Sequence, residues 1–140
     1  MSLRGSSMNW RFAILILFAP TATHAQIALE NSSGYNCTIK DLRTLQKDGG
    51  TEPRSPAGLS SFIVDRASGR ILGDLSSQVW KHQVLDPGSN QQSFKALYVS
   101  SGGFMHVRLL QVMEFESGPL KPFLFVDGSW VFSGTCTHLR

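Results

Sequence analysis

The stretch Pro122-Phe-Leu-Phe-Val-Asp-Gly-Ser-Trp-Val-Phe-Ser-Gly-Thr-Cys136 decides how this chain folds. Two apolar runs flank Asp127-Gly128, a pair that readily supplies the two positive-φ residues of a tight type I′ hairpin turn. With that turn, Phe125 faces Trp130 and Phe123 faces Phe132. Side chains alternate across a strand, so Phe123, Phe125, Trp130, Phe132 and Cys136 share one face. Leu124, Val126 and Val131 share the other. A hairpin apolar on both faces is expected to be covered on both sides, at the centre of a core rather than at its edge.

Cys136 has one possible partner, Cys37, the only other cysteine in the chain. The cysteines are not in a Cys-x-x-Cys arrangement and no histidine pair accompanies them, so a disulfide is a better reading than a metal or redox pair. It places the first and last strands of the domain together, either as neighbours in one sheet or facing each other across two.

A disulfide implies an oxidising compartment, and the start of the chain agrees. Met8-Asn-Trp-Arg11 is short and basic, Phe12 to Pro20 is apolar, and Thr23-His24-Ala25 puts small residues where a signal peptidase reads. Residues 1–25 are therefore expected to be a removed signal peptide and 26–140 a single exported domain, periplasmic or extracellular. The apolar run is well below the roughly 18 residues that span a bilayer, so no stable membrane anchor is expected. The formal charge is +3, but Arg4 and Arg11 belong to the leader and no acid does. That leaves 11 basic against 10 acidic residues, with no basic run, which disfavours nucleic acid as a partner.

Working back from the hairpin, period-2 patterns recur with turn signals between them. Tyr35 to Leu42 alternates, with Tyr35, Cys37 and Ile39 on one face. Gln46 to Ser61, rich in Gly and Pro, reads as a long loop. Phe62–Arg66 and Arg70–Asp74 flank Ala67-Ser68-Gly69 as a second hairpin. One helical turn capped by Asp74 fits Leu75 to Gln78. Val79 to Leu85 reads as a strand stopped by Asp86-Pro87-Gly88, and Gln92 to Ser100 as the next. After a Ser101-Gly102-Gly103 turn, Phe104 to Phe115 reads as the longest strand. Met105, Val107, Leu109, Met113 and Phe115 lie on one of its faces, with His106, Arg108 and Glu114 on the other. About eight strands without a long helix predict an all-β fold, a small antiparallel sandwich or barrel with one disulfide.

Catalytic signals are weak. There is no Gly-x-Ser-x-Gly elbow and no phosphate-cradling Gly-rich loop. Asp65, Asp74, Asp86 and Asp127 all fall at predicted turns, where turn chemistry explains them. His82, His106 and His138 lack metal-pair spacing, so no metal or cofactor is expected. The best binding surface would form if the strands carrying Trp80, Tyr98, His106 and Arg108 pair, giving a mixed aromatic and cationic patch; Arg54, in the long loop, is a further candidate. The expectation is a non-enzymatic exported domain that binds another exported or envelope protein, as an inhibitor or adaptor does. The alternatives are a small barrel carrying an apolar ligand or, more remotely, a small hydrolase.

The intact mass of the exported protein tests the leader and the disulfide together. The chain is expected to begin at Gln26 and to gain two hydrogens only on reduction. A chain retaining residues 8–25 would overturn export with cleavage.

Overall fold

The computed structural model describes residues 34–76, 80–100, 102 and 104–139. The predicted leader lies outside them, as do Gln78 and Val79 and two residues of the predicted Ser101-Gly102-Gly103 turn. The described residues form nine strands: β1 (Tyr35–Leu45), β2 (Thr51–Arg54), β3 (Ser61–Val64), β4 (Ile71–Gly73), β5 (Trp80–Ser89), β6 (Gln92–Ser100), β7 (Val107–Val112), β8 (Lys121–Asp127) and β9 (Trp130–His138). All are antiparallel and belong to one sheet, ordered β4-β3-β1-β9-β8-β7-β6-β5. β3 and β2 share the remaining edge of β1, β3 on Tyr35–Thr38 and β2 on Leu42–Leu45. The sheet curls into a half-barrel around one core, so the barrel-like alternative holds over the sandwich. A second sheet layer is absent among the described residues.

The disulfide joins β1 to β9. Cys37 and Cys136 are direct cross-strand partners, and both are fully buried. The first and last strands are thus neighbours in one sheet. On β1, a bulge at Lys40 resets the alternation. Tyr35, Cys37 and Ile39 point inward before it, and Leu42 and Thr44 after it. Gly134 faces this bulge. A Cβ there would overlap the Thr38 carbonyl and lie 2.8 Å from the Phe123 ring, so only glycine fits.

The β8–β9 hairpin is central, as its apolar content requires, but its register differs from the expected one. Phe125 pairs with Phe132 and Asp127 with Trp130, leaving Gly128-Ser129 as the two-residue turn. Gly128 has φ 58° and Ser129 is not left-handed, the pattern of a type II′ turn. Asp127 stays in the strand, where its carboxylate meets the Arg108 and His106 side chains. The slip preserves the faces: Phe123, Phe125, Phe132 and Cys136 are buried inside, whereas Trp130, at the strand end, is 43% exposed. The opposite face, Leu124, Val126 and Val131, is only half-buried, contrary to the expected cover on both sides.

Three further expectations are corrected. The long loop contains β2, whose Pro53 is tolerated because an edge strand need not donate on its open side. Asp86-Pro87-Gly88 does not stop β5; a bulge at Leu85 and a left-handed Gly88 (φ 72°) carry that edge strand through to Ser89. The expected long strand Phe104 to Phe115 is shorter, β7 running only from Val107 to Val112, with Leu110 and Val112 buried in the core. The helical turn expected at Leu75 to Gln78 falls partly outside the described residues; the Asp74 carboxylate itself accepts hydrogen bonds from the Ser60 and Ser61 amides, which hold it below the usual carboxylate range.

The Ala67-Ser68-Gly69 turn between β3 and β4 forms as expected and clasps the two ends of the curled sheet. Arg66 donates from Nε to the Pro87 carbonyl and from Nη2 to the Gly88 carbonyl, each at 2.8 Å. The buried Tyr98 hydroxyl donates to the Gly69 carbonyl at 2.7 Å. Gly69 has φ 78°, and a Cβ there would lie 3.3 Å from both Ala96 and Val84. The turn tip therefore rests directly on β5 and β6.

Gly134→Ala is expected to lose roughly 2 kcal/mol or more in urea denaturation, because the added methyl meets backbone on one side and a packed ring on the other. A loss under about 0.5 kcal/mol would show that the β1 bulge can give way.

Candidate functional site

Cross-strand register builds the site. One row of inward residues runs Thr44, Trp130, Asp127, Arg108, Tyr98, His82 across β1, β9, β8, β7, β6 and β5. Trp80 lies one step further along β5, opposite Ser100. The pairing that the sequence required for an aromatic and cationic patch is thus present, and Trp80, Tyr98, His106 and Arg108 converge.

Trp80 is the centre of that cluster. The Arg108 guanidinium stacks over its ring, 4.0 Å from the centroid, a cation–π contact. His106 meets it edge-on at 5.3 Å. Asp127 ties both side chains from behind: Oδ1 is 2.5 Å from His106 Nε2, and Oδ2 is 2.8 Å from Arg108 Nε. The Arg108 Nε–H is not aligned on that oxygen, so the contact is an ion pair rather than a directed hydrogen bond. Asp127, read from sequence as a turn residue, is instead the group that organises the cluster. Only the register could have revealed it.

The segment leading into His106 is pinned by Ser100. Its hydroxyl donates to the Phe104 carbonyl at 2.8 Å and accepts from the His106 amide at 3.0 Å. The pinned segment displays Phe104 and Met105, which are 92% and 84% exposed. Arg54 is not part of this cluster. It lies on β2, four strands from β7 in the sheet, bonded to Thr44 and Glu52.

A cleft of about 640 Å³ opens beside Trp80, between the inner face of the sheet and the β3–β4 hairpin. Asp65 lines it but its carboxylate serves the turn. The Ser68 hydroxyl and the Ala67 and Ser68 amides bond to it and hold it below the usual range. That is the turn role expected for Asp65.

A second polar cluster sits at the other end of β6 and β7. Glu114 is 7% exposed, and its Oε2 is 3.2 Å from His138 Nε2. The buried Tyr35 hydroxyl and Glu114 Oε1 complete no hydrogen bond, yet the carboxylate still acts on the tyrosine. Burial first, then Glu114, pushes the Tyr35 hydroxyl pKa above the ordinary tyrosine range. Glu114 was not singled out from sequence because it stands between the apolar Met113 and Phe115. The three domain histidines do not converge: His138 is here, while His82 and His106 are at the cleft end. Among the described residues, no nucleophilic side chain hydrogen-bonds the His106–Asp127 pair. No family model, curated protein or solved structure matches this chain.

Tyr35 and Tyr98 are the only tyrosines, and burial raises both pKa values. The unfolded chain ionises them near pH 10 and the folded one only at higher pH, so the stabilisation is complete below about pH 10 and is lost as pH rises above it. The expected loss is about 1.4 kcal/mol per pH unit for each tyrosine. Tyrosinate absorbance should appear only together with loss of far-ultraviolet circular dichroism. Tyrosinate forming in the folded protein near pH 10 would contradict this burial.

Proposed function

We propose that this chain is an exported, non-enzymatic β-domain that binds another exported protein, as an inhibitor or adaptor does, through the outer face of its sheet. The single observation that supports this reading is an apolar strip with no second layer over it among the described residues. Val131, Val126, Leu109 and Leu97 form one cross-strand row on β9, β8, β7 and β6. Leu124, Val99 and Val107 flank the row, and Phe104 and Met105 extend it beyond the strands. A sheet face of this composition is normally buried against another layer. The row is half-buried and ends in the exposed Val107, Phe104 and Met105, and contiguous apolar surface that water still reaches marks interaction sites.

The fitting partner presents an apolar face of its own. Of the charges on the rim of the strip, Arg43 pairs with Asp41 at 2.9 Å and Lys95 with Asp86 at 3.9 Å, while Lys81, opposite Val99, is exposed and makes no ion pair among the described residues. Lys81 apart, the rim adds little steering, and apolar contact carries the affinity. The buried disulfide is compatible with an oxidising exported location. Trp80 and Arg108 lie on the inner face and line the cleft, so the outer strip is carried by its apolar side chains alone.

The test is native mass spectrometry, with cross-linking, of the mature domain purified from its own compartment. A protein-sized adduct is expected. Phe104→Ser with Met105→Ser, and separately Leu109→Lys, should weaken it at least about tenfold with an unchanged melting temperature. Binding unaffected by both variants, or a bare monomer under cross-linking, would overturn the reading.

A further inference from the structure

The geometry points to a second, independent binding site: the cleft between the β3–β4 hairpin and the inner face of β5–β8 takes a small amphipathic organic anion. Its floor is apolar and closed, made by Phe125, Tyr98, Ile71 and Leu75, each at most 8% exposed. Its volume, about 640 Å³, falls in the range of small-molecule sites, roughly 300–1,000 Å³. An apolar body of moderate length can therefore leave water there without disturbing the core.

The rim decides the sign of the head group. Arg70 comes from the hairpin wall and Arg108 from the sheet wall, with His82 between them on β5. The only acid lining the cleft is Asp65, and its oxygens already accept from the Ala67 amide and the Ser68 hydroxyl at 2.9 Å each. Asp127, which balances Arg108, is not in the lining. The Arg70 guanidinium makes no hydrogen bond or ion pair among the described residues, and Arg70 is exposed at the mouth. Arg108 is already engaged by Asp127 and stacked on Trp80, so Arg70 is the guanidinium left free at the mouth, and over an apolar floor it favours a carboxylate or other oxyanion head. A neutral amphiphile would gain only the floor, and a cationic one would find the Asp65 oxygens already engaged in their turn.

This site does not rest on the outer apolar strip. The strip lies on the opposite face of the same strands, so a protein partner and an anion need not compete.

The experiment is isothermal titration calorimetry of the mature, disulfide-intact domain at pH 7 with three probes of one chain length: decanoate, decanol and decyltrimethylammonium. Decanoate is expected to bind one to one, at least about tenfold more tightly than decanol, with the cation weakest. Arg70→Gln, at an exposed position, should weaken decanoate about tenfold and leave decanol unchanged. Tyr98→Trp, which enlarges a floor residue, should weaken decanoate and decanol alike; if that variant fails to fold, Leu72→Trp at the exposed mouth replaces it. Equal binding of all three probes, decanoate binding unaffected by Arg70→Gln, or no binding of any probe would each overturn the proposal.

Discussion

The pairing of β1 with β9 is the constraint on which the other elements depend. It joins residues 99 apart in sequence and is locked near its Tyr35–His138 end by Cys37–Cys136. Closing a loop of that length costs the free chain several kcal/mol of entropy, and a crosslink removes about 4.7 kcal/mol of that in the chain-entropy model. Once β1 and β9 are joined, each brings its own local neighbours. β9 carries β8 by a two-residue turn, and β1 offers its far edge to β2 and β3. The sheet therefore grows outward from a buried long-range contact, and its two ends are made by short-range hairpins.

A sheet that grows this way must still cover its inner face. Curling brings the β3–β4 end over β5 and β6, and the Asp65–Arg70 turn completes the closure with polar bonds rather than with a ladder. Arg66 satisfies carbonyls on an edge strand that has lost one donor to Pro87, and Tyr98 reaches the Gly69 carbonyl from inside. Because the clasp is a turn and not a paired strand, it leaves a cleft beside it instead of a sealed barrel. The same curl leaves the outer face without a second layer among the described residues. One geometric fact thus produces both surfaces on which function is proposed, an inner cleft with a cationic mouth and an outer apolar strip.

At the mouth, Asp127 sets the arrangement. A carboxylate shared by an arginine and a histidine fixes both on the same side of Trp80, whose ring then carries Arg108 on its face and His106 at its edge. Stacking presents a guanidinium in a defined plane at lower entropy cost than a free side chain. The opposite end of the sheet is organised differently. There Glu114 and Tyr35 are withdrawn from water, and the pair tunes stability at high pH rather than recognition.

Much of this was legible along the chain. Alternation alone identified β1, β6 and the two main hairpins, because one buried face leaves a period-2 signature. Cysteine count settled the disulfide, since two cysteines allow one pairing. The patch of Trp80, Tyr98, His106 and Arg108 was legible as a conditional, true if β5, β6 and β7 pair in order. Other features were not. The face of β7 that points inward was unreadable because both of its faces are apolar, and only its neighbours select Leu110 and Val112. The hairpin register depended on whether Asp127 or Ser129 joined Gly128 in the turn, and the observed choice pairs Asp127 with Arg108 of β7, a partner far away in sequence. β5 ran past Pro87 because it became an edge strand. The cleft, its Arg70 and the uncovered strip exist only after the sheet has curled. The sequence by itself therefore determined strand content, sheet class and the covalent staple, which follow from local alternation and residue count. Register, which face is inside, and the surfaces available for binding were decided by the tertiary structure, because they arise from contacts between residues far apart in the chain.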